Sequence, residues 1–400
     1  MAAGQHMPAS DTGPGGAPEG YAVELADLTA LRGLGDGWAA LSERAAEPNV
    51  FYHPGFALPA IEALGFADDI EAVLVWRETP GAGGRTLVGL FPFVRRWRWG
   101  VPISVGEALI HPYATSSAPL VSTDDAPETI RAFRTWLDTD PQAPAAWIFR
   151  VHPADGLQYD AVWDAAVNAG EAFELFGDHE RAVLNTAGLD TAYLQEALRR
   201  KSRREYARLR RRLAEGGDVT FTCDEAPEDV ARAMGEFLVL EAAGWKGKQG
   251  TAAASVPATE WMLQEIAERL GADGRCRIHA LRLDGKPVAV TVSCGQGETW
   301  WLWKIAYDEA FAQYSPGVLL ILDITEAALK ADSPVRYDSC AQPNHPMIDR
   351  IWRQRRAYAD ILLVSGRLSP KRQRTATRLE TLRRQAEWAA REVLRLAGKG

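Results

Sequence analysis

The sequence predicts an α/β protein that is divided into two domains. The chain of 400 residues is longer than most single domains, which favours two hydrophobic cores. Segments with helical periodicity alternate with short strand-like runs from about residue 21, and this alternation begins again near residue 190. The expected division is a disordered segment over 1–20, a first domain over 21–185, a second domain over 186–365 and a basic C-terminal helix over 366–400.

The elements of the first domain follow from local composition. Residues 1–20 are rich in Gly, Pro and Ala and poor in large apolar side chains, so no packed structure is expected there. Further along, short runs rich in Val, Ile, Leu and aromatic residues predict strands, and a 3.6-residue period predicts helices. The predicted strands are 70–76, 86–94, 146–152 and 172–176, and the predicted helices are 127–138 and 161–169.

The second domain is expected to begin with helices and to continue with strands. The dipeptide Asp284-Gly285 is typical of a tight β-hairpin turn and joins two of these strands. A long apolar helix follows the fourth strand. The predicted helices are 192–215, 227–243, 257–270, 317–330 and 346–355, and the predicted strands are 219–223, 275–283, 287–294, 298–306, 335–338 and 357–364.

Charge and cysteine usage exclude several classes of protein. The net charge of −8 argues against a protein that coats nucleic acid, so DNA is not expected as a partner. The four cysteines, Cys223, Cys276, Cys294 and Cys340, are widely spaced, which indicates neither a metal site nor a disulfide framework. No apolar run is long enough for a membrane span, and no signal peptide is recognisable. A cytoplasmic location is therefore expected.

One loop carries a pattern typical of phosphate binding. The fourth strand of the second domain is followed by Tyr314-Ser315-Pro316-Gly317-Val318, which starts an apolar helix. Ser315 is a good N-cap, Pro316 suits the first turn, and Gly317 allows a ligand to approach the backbone closely. Free N–H groups at a helix start favour a phosphate or pyrophosphate group. An ordinary capped helix is the alternative.

The order of this strand, this loop and this helix resembles the coenzyme A site of the GNAT superfamily of acetyltransferases. The variant Tyr-Ser-Pro-Gly is similar to that of the BioF2-like or CelD-like group, and the resemblance covers about 186–365. The first half has a similar rhythm without the pyrophosphate loop, and it resembles the degenerate copy of tandem-GNAT proteins. The resemblance implies an α/β fold of two tandem GNAT-like domains, each a mixed, mostly antiparallel sheet flanked by helices.

The fourth strand of the second domain is rich in tryptophan. Trp301 and Trp303 face the same side because side chains alternate along a strand, and core packing is their simplest role. The resemblance implies that the strand opens here and pairs with the donor's pantetheine, with Trp303, Lys304 and Ile305 beside the donor and Trp301 beside the substrate. Lys304 would then reach a donor phosphate or hold the thioester oxygen.

A very basic helix opens the second domain. Residues 199–212 contain nine Arg or Lys side chains, whereas the leucines of the same segment share one face. A solvated charged surface is one interpretation. The other is a landing site for an acidic donor, namely coenzyme A, an acyl carrier protein or tRNA, with Arg203 and Arg204 as the candidate contacts.

The segment 240–252 carries Trp245 and Lys246 in a Gly-flanked loop. It resembles a segment common in the same family, and the equivalent connection borders the acceptor site of GNAT proteins. The expected role of Trp245 and Lys246 is therefore substrate binding in the acceptor channel, and a structural anchor is the alternative. The likeness to a phosphate-binding Walker loop is superficial because Gln249 stands where Ser or Thr is needed.

Amide formation requires that the amine loses a proton and that the leaving thiolate gains one. Asp338 and His345 are the candidate bases, and Tyr337 or Tyr314 the candidate proton donors. Glu241 or Glu298 would serve if neither base acts. A buried structural aspartate and a histidine at a helix start are the alternatives for the first pair.

The C-terminal helix carries an apolar stripe and many basic residues. It is expected to dock on the body of the protein or on a partner subunit. The stripe consists of Leu379, Leu382, Ala386, Ala389, Val393 and Leu396.

These features predict an N-acyltransferase that moves an acyl group from acyl-CoA or an acyl carrier protein to an amine. The acceptor would be an amino sugar, an amino acid or a peptide, held in the cleft between the domains, and no cofactor would be bound permanently. A Fem-like aminoacyltransferase that uses tRNA is the first alternative, which the acidic total charge makes less favoured. A non-catalytic GNAT scaffold in polysaccharide or natural-product assembly is the second.

Overall fold

The computed structural model describes residues 18–79, 81, 84–168 and 173–397. Most of the segment expected to be disordered, residues 1–17, lies outside these ranges. The strands are β1 (Tyr21–Asp27), β2 (Ile70–Glu78), β3 (Arg85–Arg96), β4 (Val105–Ala108), β5 (Leu120–Val121), β6 (Ala146–Pro153), β7 (Phe173–Asn185), β8 (Val219–Asp224), β9 (Cys276–Leu283), β10 (Lys286–Gln296), β11 (Thr299–Tyr307), β12 (Arg336–Asp338) and β13 (Gln354–Val364). The helices are α1 (Leu28–Gly33), α2 (Asp36–Glu43), α3 (Pro54–Ala63), α4 (Ala126–Thr139), α5 (Leu157–Asn168), α6 (Tyr193–Ala197), α7 (Arg200–Ala214), α8 (Pro227–Ala243), α9 (Trp245–Lys248), α10 (Pro257–Ala272), α11 (Pro316–Leu329), α12 (Ile348–Ile351) and α13 (Pro370–Ala397).

All the described strands belong to one mixed sheet. Its order is β1-β2-β3-β4-β6-β13-β7-β12-β11-β10-β9-β8, with β5 paired to β3. We call β1–β7 with their helices the N-terminal half and β8–β13 with theirs the C-terminal half. The last strand of each half lies beside the other half, because β13 pairs with β6 and β7 pairs with β12. The α/β class with a mixed, mostly antiparallel sheet is confirmed, and the two expected sheets are joined into one.

Each half contains one parallel strand pair that separates after a few residues. In the C-terminal half, β11 pairs with β12 only from Thr299 to Trp301, whereas it pairs with β10 on its other side as far as Tyr307. The β10 register also shifts, since Ser293 lies opposite Leu302 and Val292 opposite Lys304. The extra residue, Trp303, forms a bulge that bends β11 away from β12.

The two halves are packed together by helices on the same side of the sheet as Trp301 and Trp303. Helix α3 of the N-terminal half packs on α10 of the C-terminal half. Beneath them, the rings of Phe56 and Trp303 lie 5.0 Å apart and those of Phe51 and Trp301 lie 5.7 Å apart. Edge-on pairs of this kind add about 0.5–1.5 kcal/mol each to the stabilisation from burial. Trp301 and Trp303 are therefore core residues as well as neighbours of the open strand edge.

Two predicted helices differ from the structure. The predicted helix 192–215 is broken between α6 and α7, because Leu198 is extended and the guanidinium of Arg353 donates to the carbonyl of Ala197 at 2.7 and 3.1 Å. The predicted helix 346–355 is limited to the single turn of α12, since β13 starts at Gln354 and pairs with β7. In both places a distant partner takes hydrogen bonds that a longer helix would need.

Candidate functional site

A pocket of about 430 Å³ opens where β11 ends and α11 begins. We call it the β11 pocket. One wall is the free edge of β11, another is the start of α11, and the third is the connection between α8 and α9. The lining residues are Leu240, Glu241, Gly244, Trp245, Lys246, Ile305, Ala306, Tyr307, Ala312, Ser315, Pro316, Gly317, Val318, His345 and Met347.

The β11 pocket brings together eight of the sixteen residues that sequence reasoning selected. These come from four separate segments and are Trp245, Lys246, Ile305, Ser315, Pro316, Gly317, Val318 and His345. The other eight do not line it and are Arg203, Arg204, Trp301, Trp303, Lys304, Tyr314, Tyr337 and Asp338.

The start of α11 presents the backbone N–H of Gly317 to the β11 pocket, because Pro316 before it has no N–H. Ser315 is the N-cap residue and adopts the left-handed conformation, with φ 52° and ψ 53°. Its carbonyl accepts from the N–H groups of Val318 and Leu319, but its side chain makes no capping hydrogen bond, contrary to expectation. A Cβ at Gly317 would lie 3.6 Å from Ile305, an ordinary contact. The glycine therefore keeps the pocket open rather than relieving backbone strain.

Helix α7 lies beside this helix start. Arg210 forms an ion pair with Asp323 of α11, and the guanidinium of Arg212 lies 5.8 Å from the ring centroid of Tyr314. Arg204 is exposed, whereas Arg203 is half-buried and its Nε has no hydrogen-bond partner among the described residues. Helix α7 is thus attached to α11, whose first residues line the pocket.

The wall between α8 and α9 is built around a buried carboxylate. Glu241 is 6% exposed and accepts from Lys246 Nζ at 2.6 Å and from the Ala253 N–H at 2.9 Å. Helix α9 folds back so closely that a Cβ at Gly247 would lie 1.7 Å from the Ala242 carbonyl oxygen. Only glycine fits there, and this contact holds the Trp245-Lys246 loop against the end of α8.

A half-buried lysine lies next to this wall on the open part of β11. Lys304 Nζ is 4.1 Å from the ring centroid of Tyr113, which reaches in from the N-terminal half. Burial, together with the charge of Lys246, lowers the pKa of Lys304 to about 8, although the charge of Glu241 acts in the opposite direction. Trp303 Nε1 donates to the Tyr113 carbonyl at 2.8 Å, so the bulge of β11 is fastened to the same loop.

Asp338 lies in a separate, fully occupied cluster. Its carboxylate receives Arg181 Nη1 at 3.2 Å on both oxygens, the Tyr358 hydroxyl, and the Cys340 N–H at 2.7 Å. Burial, followed by the charge of Asp338, raises the pKa of Tyr358 well above its usual range. This arrangement suits a group that holds β12, β7 and β13 together.

The other two predicted catalytic residues, His345 and Tyr337, differ in their access to the pocket. His345 lines it and accepts from the Ile348 N–H with Nδ1 at 3.4 Å, at the start of α12. Tyr337 is buried in the core beneath α11 and does not line the pocket, with its ring 6.1 Å from that of Trp352. Of the three predicted catalytic residues, His345 alone faces the pocket.

Sequence reasoning missed the contribution of the N-terminal half. Tyr113 and His111 come from the loop after β4, and Arg181 comes from β7. Burial and the nearby charge of Lys304 lower the pKa of His111 to about 4. No local motif marks these residues, because each reaches the site through long-range packing.

Comparison with known proteins identifies the domain that carries the pocket. Residues 200–344 match the family described as the acetyltransferase (GNAT) domain. No curated protein sequence matches this chain. The matched range, residues 200–344, includes α7, the α8–α9 connection, β11, the start of α11 and Asp338.

Solved structures resemble the chain in fold. FemX is 9% identical with a TM-score of 0.53, over 85% of this chain and 97% of that chain. A conserved protein of unknown function from Bacteroides thetaiotaomicron is 10% identical with a TM-score of 0.52, over 86% and 100%. The C-terminal domain (DUF2156) of a protein assigned as a lysylphosphatidylglycerol synthetase of Agrobacterium fabrum is 12% identical with a TM-score of 0.50, over 86% and 93%.

Residues 200–344 therefore match the GNAT acetyltransferase domain family, and the protein is a transferase. The expected resemblance to the superfamily is confirmed. Membership of the BioF2-like or CelD-like group stays a prediction.

Proposed function

We propose that the protein is an N-acyltransferase that transfers an acyl group from a thioester donor directly to an amine. The observation that carries this proposal is the β11 pocket, where an open strand edge meets the N–H of Gly317 at a helix start. An acyl-CoA or an acyl carrier protein offers the matching groups, namely amides along its pantetheine arm and a phosphate behind them.

The donor would lie along β11 with its phosphate at α11. The backbone of Ile305 to Tyr307 has no partner strand on the β12 side among the described residues, so it can bond the pantetheine amides. The N–H of Gly317 and the positive end of the α11 dipole favour the phosphate. Arg203 and Arg204 on α7 would attract the rest of an acidic donor.

The transfer step forms a C–N bond and breaks a C–S bond. The neutral amine attacks the thioester carbonyl, the thiolate leaves, and the extra proton of the nitrogen passes to a base. His345 and Glu241 line the pocket and would serve as this base, whereas Asp338 already accepts four hydrogen bonds. A protonated Lys304 would stabilise the negative charge that develops on the carbonyl oxygen.

The amine acceptor would enter between the halves. A second cleft of about 590 Å³ lies at the opposite end of β11, and both halves line it. Its walls include the ion pair of Glu47 with Arg356, together with Glu298 and Arg336. Such mixed charge suits a polar acceptor such as an amino sugar, an amino acid or a peptide amine.

Intact-mass detection of the product tests the proposal. The protein is incubated with a panel of amines and with acyl-CoA, acyl carrier protein or aminoacyl-tRNA as donor. We expect a mass increase equal to one acyl group on an amine with a thioester donor. Transfer from aminoacyl-tRNA alone would favour the Fem-like alternative, to which the overall fold and the basic α7 are also suited. No transfer from any donor would contradict the proposal.

The basic helix distinguishes the two donor classes more sharply. We expect Arg203→Gln combined with Arg204→Gln to weaken association of a thioester donor by less than about tenfold, with a smaller loss at high salt. Measurement of donor affinity at several salt concentrations checks this, with Arg131→Gln on α4 as the matched control. A larger defect with tRNA than with any thioester would support the Fem-like alternative instead.

A further inference from the structure

Helix α13 is attached to the protein by its charged face. Glu380 has no exposed surface and accepts from Arg98 Nε at 3.0 Å, from Trp99 Nε1 at 2.9 Å and from Arg384 Nε at 2.6 Å. These contacts belong to a closed ring of alternating charges that joins α13 to β4, β6 and β13. In order, its members are Arg98, Glu107, Arg150, Asp360, Arg384 and Glu380.

The apolar stripe of α13 consequently points away from the body from Leu382 to Val393, whereas Leu379 at its start is half-buried. Leu382 is 60% exposed and Val393 is 64% exposed, and Ala386 and Ala389 between them are exposed as well. Trp388, beside the stripe, is 70% exposed. The helix therefore docks on the body, one of its two expected places, but it does so by the face opposite to the stripe, which the buried ion ring holds. An apolar surface of this kind marks a contact with another molecule or with lipid.

The first turns of the same helix carry exposed positive charge. None of Lys371, Arg372, Arg374 and Arg378 forms an ion pair with a described residue, and all four are exposed. Over its whole length α13 has eight basic and three acidic residues, in a chain whose net charge is −8. Helix α13, like α7, thus carries an excess of positive charge, and it also exposes Leu382, Trp388 and Val393.

We propose that α13 binds the surface of an anionic membrane. Leu382, Trp388 and Val393 would enter the boundary between headgroups and acyl chains, where tryptophan is favoured, and the cations of the first turns would lie at lipid phosphates. A pair of α13 helices from two copies would instead bring like charges together, so charge complementarity selects the anionic lipid. The ion ring fixes the orientation in which the protein is held. No helix among the described residues could cross the bilayer, so the contact is peripheral.

Co-sedimentation with vesicles tests this proposal. The full-length protein is mixed with vesicles of phosphatidylglycerol and phosphatidylcholine in equal parts, and with vesicles of phosphatidylcholine alone. We expect binding to the anionic vesicles that weakens as salt is raised. Leu382→Gln with Val393→Gln should weaken it by about tenfold, since apolar burial is lost. Neutralising Arg372, Arg374 and Arg378 with Gln should weaken it by about a hundredfold.

Matched variants elsewhere serve as controls. Val239→Gln alters another exposed apolar residue, on α8, and Arg131→Gln alters another exposed cation, on α4. Both should bind as the parent does. Absence of vesicle binding, equal binding to both vesicle types, or unchanged binding of both α13 variants would overturn the proposal. A lipid-free dimer that Leu382→Gln with Val393→Gln dissociates in sedimentation velocity would also overturn it, in favour of a second copy.

Discussion

The two halves of the sheet follow the same strand order but differ at the point where their parallel strands separate. In the C-terminal half the gap beside β11 is open and leads into the β11 pocket. In the N-terminal half the equivalent gap, between β4 and β6, is filled by the chain itself. The Ser117 hydroxyl donates to the Arg150 carbonyl at 2.6 Å and accepts from the Arg150 N–H at 2.7 Å. Of these two gaps, the one beside β11 leaves its backbone groups free among the described residues, so the proposed function assigns the donor to that gap.

The loop that fills this gap also serves the other half. Ser117 of this loop is hydrogen-bonded to β6. A few residues earlier, the ring of Tyr113 lies against Lys304, and the Tyr113 carbonyl accepts from Trp303. The half whose gap is filled thus supports the open strand of the other half, through the contacts of Tyr113 with Trp303 and Lys304. This difference between the halves predicts that substitutions in the C-terminal half change mainly the transfer rate. Substitutions in the N-terminal half and in α13 should change mainly the free energy of unfolding.

The largest expected effect concerns the base. We expect His345→Ala to lower turnover by about 10² to 10⁴-fold with little change in donor binding, partly recovered at higher pH. Asp338→Asn should instead lower the free energy of unfolding by about 3–5 kcal/mol, because Arg181 is left buried without its carboxylate. The pH–rate profile and chemical denaturation of both variants check this. If His345→Ala keeps near-parent turnover and Asp338→Asn alone loses the acidic limb, the assignment is reversed. If both variants keep that limb and near-parent turnover, Glu241→Gln is the next variant.

The second prediction concerns the donor. Gly317→Glu should weaken donor binding by about a thousandfold, since a carboxylate about 4 Å from a phosphate costs about 4 kcal/mol near a protein surface. The fold should survive, because a Cβ is accommodated at this position. Calorimetry with the donor provides the measurement. Gly235→Glu on α8, where no atom lies within 4 Å of the added Cβ, is the matched control. Unchanged affinity in a folded Gly317→Glu variant would remove α11 from the donor site.

The third prediction tests the N-terminal half through its contact with α13. Glu380→Gln should lower the free energy of unfolding by about 3 kcal/mol, because Arg98 and Arg384 lose a buried countercharge. Burial alone would raise the pKa of Glu380, but hydrogen bonds from Arg98 and Trp99 lower it. The stabilisation is therefore present at neutral pH and is lost as the pH falls through the folded-state pKa. Denaturation at neutral and acidic pH checks this, and Glu387→Gln on the same helix should be nearly neutral.

The smallest expected effect is the pH dependence that Lys304 imposes. If its positive charge supports the transfer, the rate should fall as the pH rises through about 8, by up to about tenfold per pH unit. Lys304→Arg should move this limb to higher pH, because a guanidinium stays protonated. A rate profile of Lys304→Arg identical to that of the parent would assign the limb to another group.

The sequence predicted those parts of the molecule that depend on local patterns. The strand–loop–helix order around Ser315 and Gly317 and the Gly-flanked Trp245-Lys246 loop follow from periodicity, capping and turn preferences within about ten residues. Both segments line the β11 pocket. The candidate base Asp338 was selected by its place after a strand. Its partners Arg181 and Tyr358 come from β7 and β13, and no local pattern indicates that they meet.

By itself the sequence determined the α/β class, most elements of the C-terminal half and the amphipathic character of α13. Each of these depends on residues close together in the chain, whose side chains fix a period or a cap. The tertiary structure alone decided that β7 and β13 lie beside the opposite halves, that Tyr113 covers Lys304, and that α13 docks by its charged face. These depend on pairing and burial between segments far apart in sequence, where the free energy of a contact is set by a partner that no local pattern specifies.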